Sequence, residues 1–406
     1  MSRPLTVMLV AAEASGDALG AGLARALKAR LGDQVRLVGV GGRRMAAEGV
    51  DSPFDIASLS ILGIFEAVAA YRTVVQRVAD TAALAQRETP DVAILIDSWG
   101  FTLRVAQALR KRFPGMLLVK YVGPQVWATR PGRAKTLAAS VDHLLSIHSF
   151  DGPWFEKEGL KTTFVGNPAL ARDFSHADPA RLRAAIGAGE GEDILLVLPG
   201  SRPAEIKLVM PVFEETVQRL KAARPGLHVV IPAAGTVVDS VRARVAGWPF
   251  RAHVIEDEQL KDDAFVAGTV ALACSGTVTT ELALAGAPMV VAYRIGAASY
   301  AILKYIFKSP WVTMFNIAAK AFVAPEFLQA ECTPANLEKA VAERLDDPAL
   351  RARQTAAQNA ALELMGKGGP DPSEAAADAV LRLLDLKDVM TLKSVLCAQP
   401  ILCWFV

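Results

Sequence analysis

The chain is poor in the residues that build disulfide frameworks and metal centres. It has four cysteines (Cys274, Cys332, Cys397 and Cys403) and five scattered histidines in 406 residues, with no CxxC pair. That pattern argues against a disulfide scaffold or a zinc site, and no metal or other cofactor is expected. Charge of one sign is also missing: 44 Lys and Arg face 42 Asp and Glu, too even a balance for a basic field that would hold nucleic acid. No run of about 18 uncharged apolar residues exists, so no bilayer-crossing helix is expected. A local surface patch remains compatible with membrane contact. The opening MSRPLTVMLVAAEASGD runs a short apolar stretch into a Gly/Asp turn, as a first strand does and a secretory signal does not. The cytosol is the expected setting. The glycine fingerprint of dinucleotide sites and the lysine of a P-loop are both absent, which argues against a nicotinamide dehydrogenase and against ATP hydrolysis.

What the chain has in quantity is aliphatic runs without polar alternation. Apolar residues make up 52% of it, enough for sizeable cores, and its length favours two domains. The runs lie at 6–11, 36–40, 92–96, 117–122, 143–147 and 163–165, then at 194–198, 228–231, 253–255, 270–273 and 289–292. Continuous apolar runs suit strands buried on both faces of a parallel sheet. Between them, 21–31, 75–87 and 210–223 space apolar residues by three and four, as helices do. This is the βαβ rhythm, stated twice. The expected fold is α/β, with two Rossmann-like parallel-sheet domains facing a cleft. The boundaries are an N-terminal domain 1–170, a polar linker 171–192 with one helix, a second domain 193–345, and C-terminal helices with an apolar tail, 346–406.

In open parallel sheets, ligands sit beyond the carboxyl ends of the strands. After the first strand come Glu13, Ser15, Gly16 and Asp17, small and polar residues that let a ligand approach or simply cap the next helix. Asp97 follows 92–96 and stands at the edge of the core, as a general base or as a helix cap. In the second half, Ser201 and Arg202 follow 194–198, where a permanent charge either is solvated or awaits an anion. After 270–273 comes Ser275-Gly276-Thr277, a turn suited to phosphate or to helix capping, with Glu281 one turn further on, placed to accept from vicinal sugar hydroxyls. A phosphate turn, a guanidinium and a carboxylate in one domain point to a nucleotide-sugar pocket.

These residues lie in blocks that resemble the bacterial lipid-A-disaccharide synthase family, two-domain glycosyltransferases of the GT-B type. The blocks run in family order from residue 5 to about 385. They include AAEASGDALGAGL (11–23), PDVAILIDSWGF (90–101), YVGPQVWATR (121–130), LPGSRPAEI (198–206), ACSGTVTTELALAGAPMVVAYR (273–294) and FNIAAKAFVAPEFLQAECTP (315–334). The resemblance implies an inverting transfer of 2,3-diacylglucosamine from UDP to the 6-hydroxyl of 2,3-diacylglucosamine 1-phosphate. The product is a β-1,6 disaccharide 1-phosphate, and UDP leaves. It implies that Asp97 is the base and that Arg202 faces the diphosphate without help from a metal. Glu281 matches the ribose-contacting glutamate, Ser275 to Thr277 the phosphate turn, and Asn316 a further nucleotide-site residue, which the family supplies across a swapped homodimer. The chain departs from the family pattern at Ala12, Gly100, Gly123, Gln125, Thr129, Asn167, Ala319 and Lys320, mostly on the acceptor side.

Acylated substrates imply work at the inner face of the cytoplasmic membrane. Segments 59–71 and 298–315 are apolar and aromatic enough to touch it, or to form core or a dimer interface instead; the tail 395–406 is apolar to its last residue. Two other readings fit the residues alone: another UDP-sugar enzyme of the same fold, such as a soluble glycosyltransferase or an epimerase, and a catalytically silent UDP- or lipid-binding module.

Overall fold

The computed structural model describes residues 3–59, 64–307 and 309–397. Among the described residues, twelve strands form two six-stranded sheets in which every pairing is parallel. The first sheet holds β1 (Leu5–Ala11), β2 (Val35–Val40), β3 (Val92–Ile96), β4 (Leu117–Tyr121), β5 (His143–Ser146) and β6 (Thr162–Phe164). The second holds β7 (Ile194–Leu198), β8 (His228–Pro232), β9 (Ala252–Ile255), β10 (Val270–Cys274), β11 (Met289–Tyr293) and β12 (Glu326–Leu328). Eleven of these coincide with the aliphatic runs to within a residue at each end. The twelfth, β12, was not expected: three half-buried residues at a sheet edge carry no apolar run.

The strands are buried on both faces because helices cover both. In β7, Leu195 and Val197 enter one core cluster, while Ile194, Leu196 and Leu198 enter the other. In β1, Val7 and Leu9 face one way and Met8 and Val10 the other. The period-2 geometry of a strand thus feeds two cores from one uninterrupted apolar run.

Strand order decides where ligands are expected. The first sheet runs β2-β1-β3-β4-β5-β6 and the second β12-β11-β10-β7-β8-β9. The direction of winding therefore reverses between β1 and β3, and again between β7 and β10. At such switch points two adjacent crossovers leave on opposite faces, opening a crevice at the carboxyl ends.

The chain divides into a first unit, up to Pro168 and again from Gly369, and a second unit, Ala169–Gly368. Residues 171–192, read as a linker, lie inside the second unit. There the helix Pro179–Ile186, capped by Asp178, buries Leu182 and Ile186 in that unit's core. The C-terminal helices, read as one segment, divide between the units. In Pro348–Leu364, Gln354 and Gln358 donate to the carbonyls of Met289 and Ala287 at 2.7 and 3.0 Å, in the second unit. Pro372–Cys397 returns to the first unit, where Ala376, Ala377, Ala379 and Val380 enter its core. Arg30, on the helix Ala14–Leu31, pairs with Glu374 and Asp378. Alanines make this close approach cheap, and polar spacing alone gave no sign of it. No helix among the described residues is long and apolar enough to cross a membrane. Residues 60–63, within the expected membrane segment 59–71, and most of the apolar tail, 398–406, lie outside the described residues.

Candidate active site

In the first unit the β1/β3 switch point joins three of the expected residues. Ser15 lies in the first turn of the helix Ala14–Leu31, and its Oγ donates to Asp97 Oδ2 at 2.7 Å. Gly16 lets that helix lie against the end of β3: a Cβ there would meet the Ile96 carbonyl at 3.4 Å and Asp97 Cβ at 3.6 Å. Glu13 precedes the helix, is exposed, and caps nothing with its side chain. Asp17 has a different task. It is 5% exposed and accepts from the backbone N–H groups of Gly42, Met45 and Arg44 at 2.7 to 3.0 Å. Its carboxylate shapes the turn after β2 and is spent there, so it does not face a ligand.

Asp97 and the following Ser98 are both left-handed, with φ of 49° and 38°. A non-glycine residue in that region costs about 1–3 kcal/mol, so the surroundings must impose the conformation. They do. Asp97 N–H donates to the Tyr121 carbonyl at 2.9 Å. Its own carbonyl accepts from Thr102 Oγ1 at 2.7 Å and from the Lys120 ammonium, which also donates to Thr102 Oγ1 at 2.7 Å. Lys120 is 2% exposed. Burial pushes its pKa down to about 7, against the pull of Asp97 and Glu13.

The second unit carries a cavity of about 340 Å3 at its β7/β10 switch point. It is lined by Gly200, Ser201 and Arg202 after β7, Ser275, Gly276 and Thr277 after β10, and Glu281, with Lys261 and Phe265 on one side. Gly200 is obligatory in this turn. Its φ is +111°, and a Cβ would stand 2.4 Å from Glu205 Oε2. Glu205, 7% exposed, accepts from the N–H groups of Ser201 and Arg202 at 2.9 and 3.2 Å. The Ser201 carbonyl takes Thr236 Oγ1 at 2.7 Å. Those backbone donors are therefore already used, and the anion-binding capacity of this turn falls to side chains. The Arg202 side chain is 75% exposed, with one 3.3 Å contact to Glu205. Across the cavity, the helix Thr277–Leu284 starts at Gly276 without a side-chain cap. Its first N–H groups and the hydroxyls of Ser275 and Thr277 complete a cationic and hydrogen-bonding wall.

Glu281 is held by Arg172, which also grips Asp262; Asp262 in turn contacts His176 Nε2 at 3.0 Å. Asn316, expected at a nucleotide across a swapped homodimer, does not line this cavity. It is fully buried, its Nδ2 donates to the Ala324 carbonyl and Glu326 Oε1, and its Oδ1 accepts from Val323 and Ala324 N–H. With its hydrogen-bonding capacity met inside the second unit, it locks the approach to β12 and does not line the cavity. Reasoning from sequence missed Arg172, Glu205 and Lys120. Arg172 acts over separations of 90 and 109 residues and has no local signal. The lone lysine inside the aliphatic run 117–122 was a signal for Lys120. Among the described residues no three His, Cys, Asp or Glu side chains cluster as a metal site, and Cys274 and Cys332 are buried free thiols.

The family model for LpxB, lipid-A-disaccharide synthetase, matches residues 7–380. The chain belongs to the lipid-A-disaccharide synthase family. It is 39% identical over 382 residues to the lipid-A-disaccharide synthase of Rhodospirillum centenum, covering 94% of this chain and 95% of that one. With the synthase of Paramagnetospirillum magneticum it shares 40% identity over 379 residues, 93% and 97% of the two chains. Solved structures of similar fold include the S. aureus MnaA–UDP co-structure (TM-score 0.62, 16% identity, 94% and 97% covered). Acinetobacter baumannii MurG is another (TM-score 0.56, 15% identity, 93% and 100% covered). The fold is thus of the GT-B type. As a lipid-A-disaccharide synthase the chain is a glycosyltransferase, carrying 2,3-diacylglucosamine from UDP to the 6-hydroxyl of 2,3-diacylglucosamine 1-phosphate.

Proposed function

We propose that the synthase divides this reaction between its two switch points. In the second unit, UDP occupies the cavity: Arg202 and the Ser275–Thr277 turn hold the diphosphate, and Glu281 accepts from the ribose hydroxyls. In the first unit, Asp97 takes the proton of the acceptor's 6-hydroxyl as that oxygen attacks the anomeric carbon from the face opposite UDP. Inversion follows from the single displacement. Charge develops on the leaving diphosphate, and a largely exposed guanidinium with uncapped helix N–H groups is suited to receive it. The observation that carries this reading is the convergence of Arg202, Ser275, Gly276, Thr277 and Glu281 around one cavity from segments some 75 residues apart in the chain.

Purified protein given both acylated substrates is expected to release UDP and form the disaccharide 1-phosphate, read by mass spectrometry. Equal turnover with an unacylated UDP-glucosamine would instead favour a soluble transferase, and UDP binding without product a silent module.

Membrane contact belongs to the same proposal. On the helix Ala297–Ile306, Tyr300 and Tyr305 are 42% and 71% exposed, and Lys304 Nζ stands 4.8 Å from the Tyr305 ring centroid. Exposed aromatics beside a lysine suit a headgroup region. Co-flotation with anionic vesicles that is lost in Tyr300→Ser/Tyr305→Ser supports this face. Unchanged flotation removes it, and a change in sedimentation would assign the face to a second copy.

A further inference from the structure

A buried lysine amino group with no carboxylate in salt-bridge contact among the described residues is an expensive object, and Lys120 is one. A methionine of similar shape would fill the same place in the β4 run at lower cost, so the polar group calls for a reason. Its Nζ donates to the Asp97 carbonyl and to Thr102 Oγ1, and Thr102 Oγ1 itself donates to the carbonyls of Asp97 and Ser98 at 2.7 and 2.9 Å. Three of these four contacts end on the carbonyls of Asp97 and Ser98, the two adjacent left-handed residues at the end of β3.

We propose that Lys120 is a positioning residue for glycosyl transfer: its amino group, donating to the Asp97 carbonyl, holds the Asp97–Ser98 turn in the conformation that aims the Asp97 carboxylate at Ser15 and the acceptor hydroxyl. The inference rests on the reading of Asp97 as the base. The carbonyl and the carboxylate of Asp97 leave the same Cα. Pinning the carbonyl inward, with the N–H fixed on Tyr121, sets the direction of the Cα–Cβ bond, from which the carboxylate reaches Ser15 Oγ at 2.7 Å. Without the clamp, the strained turn relaxes toward ordinary backbone angles and carries the carboxylate away with it. Misplacing a reacting group by about 1 Å can cost roughly a hundredfold in rate.

The test is a double-mutant cycle on the full chain with both acylated substrates, comparing Lys120→Met, Asp97→Asn and the pair. Lys120→Met is expected to lower kcat at least tenfold, leave both KM values within about threefold, and leave UDP affinity unchanged. Added to Asp97→Asn it is expected to cost nothing more, because it acts only through that carboxylate. Ser98→Gly, which adopts the left-handed turn without strain, is expected to restore part of the lost kcat in the Lys120→Met protein. A wild-type kcat in Lys120→Met, or a loss that multiplies with that of Asp97→Asn, overturns the proposal. Full activity in Asp97→Asn alone overturns the reading of the base instead. Should Lys120→Met yield no folded protein, Lys120→Gln carries the same cycle with the same expected and overturning results.

Discussion

Ser15 Oγ donates to Asp97 Oδ2 at 2.7 Å, tying the first turn of the helix after β1 to the end of β3 across the point where the first sheet reverses its winding. The bond occupies one carboxylate oxygen and orients the other. Asp97→Asn keeps the shape and an acceptor for Ser15 but cannot take a proton. It is expected to lower kcat by about 10²–10⁴ with little change in KM, the range for loss of a general base. Ser15→Ala should cost about tenfold or less. Steady-state kinetics with saturating acceptor check both, and full turnover in Asp97→Asn would refute the assignment.

Arg202 stands largely in solvent, so its substitution removes a ligand contact with little loss of packing. Charge-assisted hydrogen bonds are worth about 1.5–3 kcal/mol, so Arg202→Ala should weaken UDP binding about 10–100-fold by calorimetry. If kcat falls together with kcat/KM, the guanidinium also stabilises the departing diphosphate. Arg202→Lys should recover only part, since an ammonium lacks the two-pronged contact.

Gly200 carries the turn on which Arg202 rests. Gly200→Ala forces a side chain onto a φ of +111° and into Glu205. The expected loss is about 2 kcal/mol or more of stability, together with weaker UDP binding, because Glu205 must release the N–H groups of Ser201 and Arg202. Thermal unfolding and UDP titration of the same sample check the two effects. Unaltered values of both would show that the turn is pliable.

Asp151 gives the fold a pH dependence. It is 2% exposed, and burial raises its pKa from the usual 3.8 to about 7, only partly offset by the hydrogen bond from Trp127 Nε1 at 3.0 Å. Between those values the folded chain binds a proton that the unfolded chain has lost. The stability due to this group is therefore complete below about pH 4 and is lost as pH rises through 7. The loss amounts to at most about 4 kcal/mol. Asp151→Asn should gain on the wild type as pH goes from 5 to 8, read as the difference of unfolding midpoints. A constant difference would show that the carboxylate is ionised throughout.

Eleven of the twelve strands were legible in the sequence because a strand buried on both faces must be apolar at every position, and few other structures leave that mark. The placement of Asp97, Arg202 and the Ser275–Glu281 segment at strand ends was legible for a related reason: each follows such a run directly. What the tertiary structure alone decided are relations between residues far apart in the chain. Arg172 and Glu281 meet because the helix after β10 and the segment before β7 belong to the same unit. Asp17 and Asn316, plausible ligands by type and position, are consumed by backbone donors and acceptors that only the folded chain brings to them. The short β12 and the return of the last helix to the first unit depend on edge pairing and small-residue packing, which leave no periodic trace. Apolar period is a local property of the chain, whereas the satisfaction of a polar group depends on what the fold places beside it.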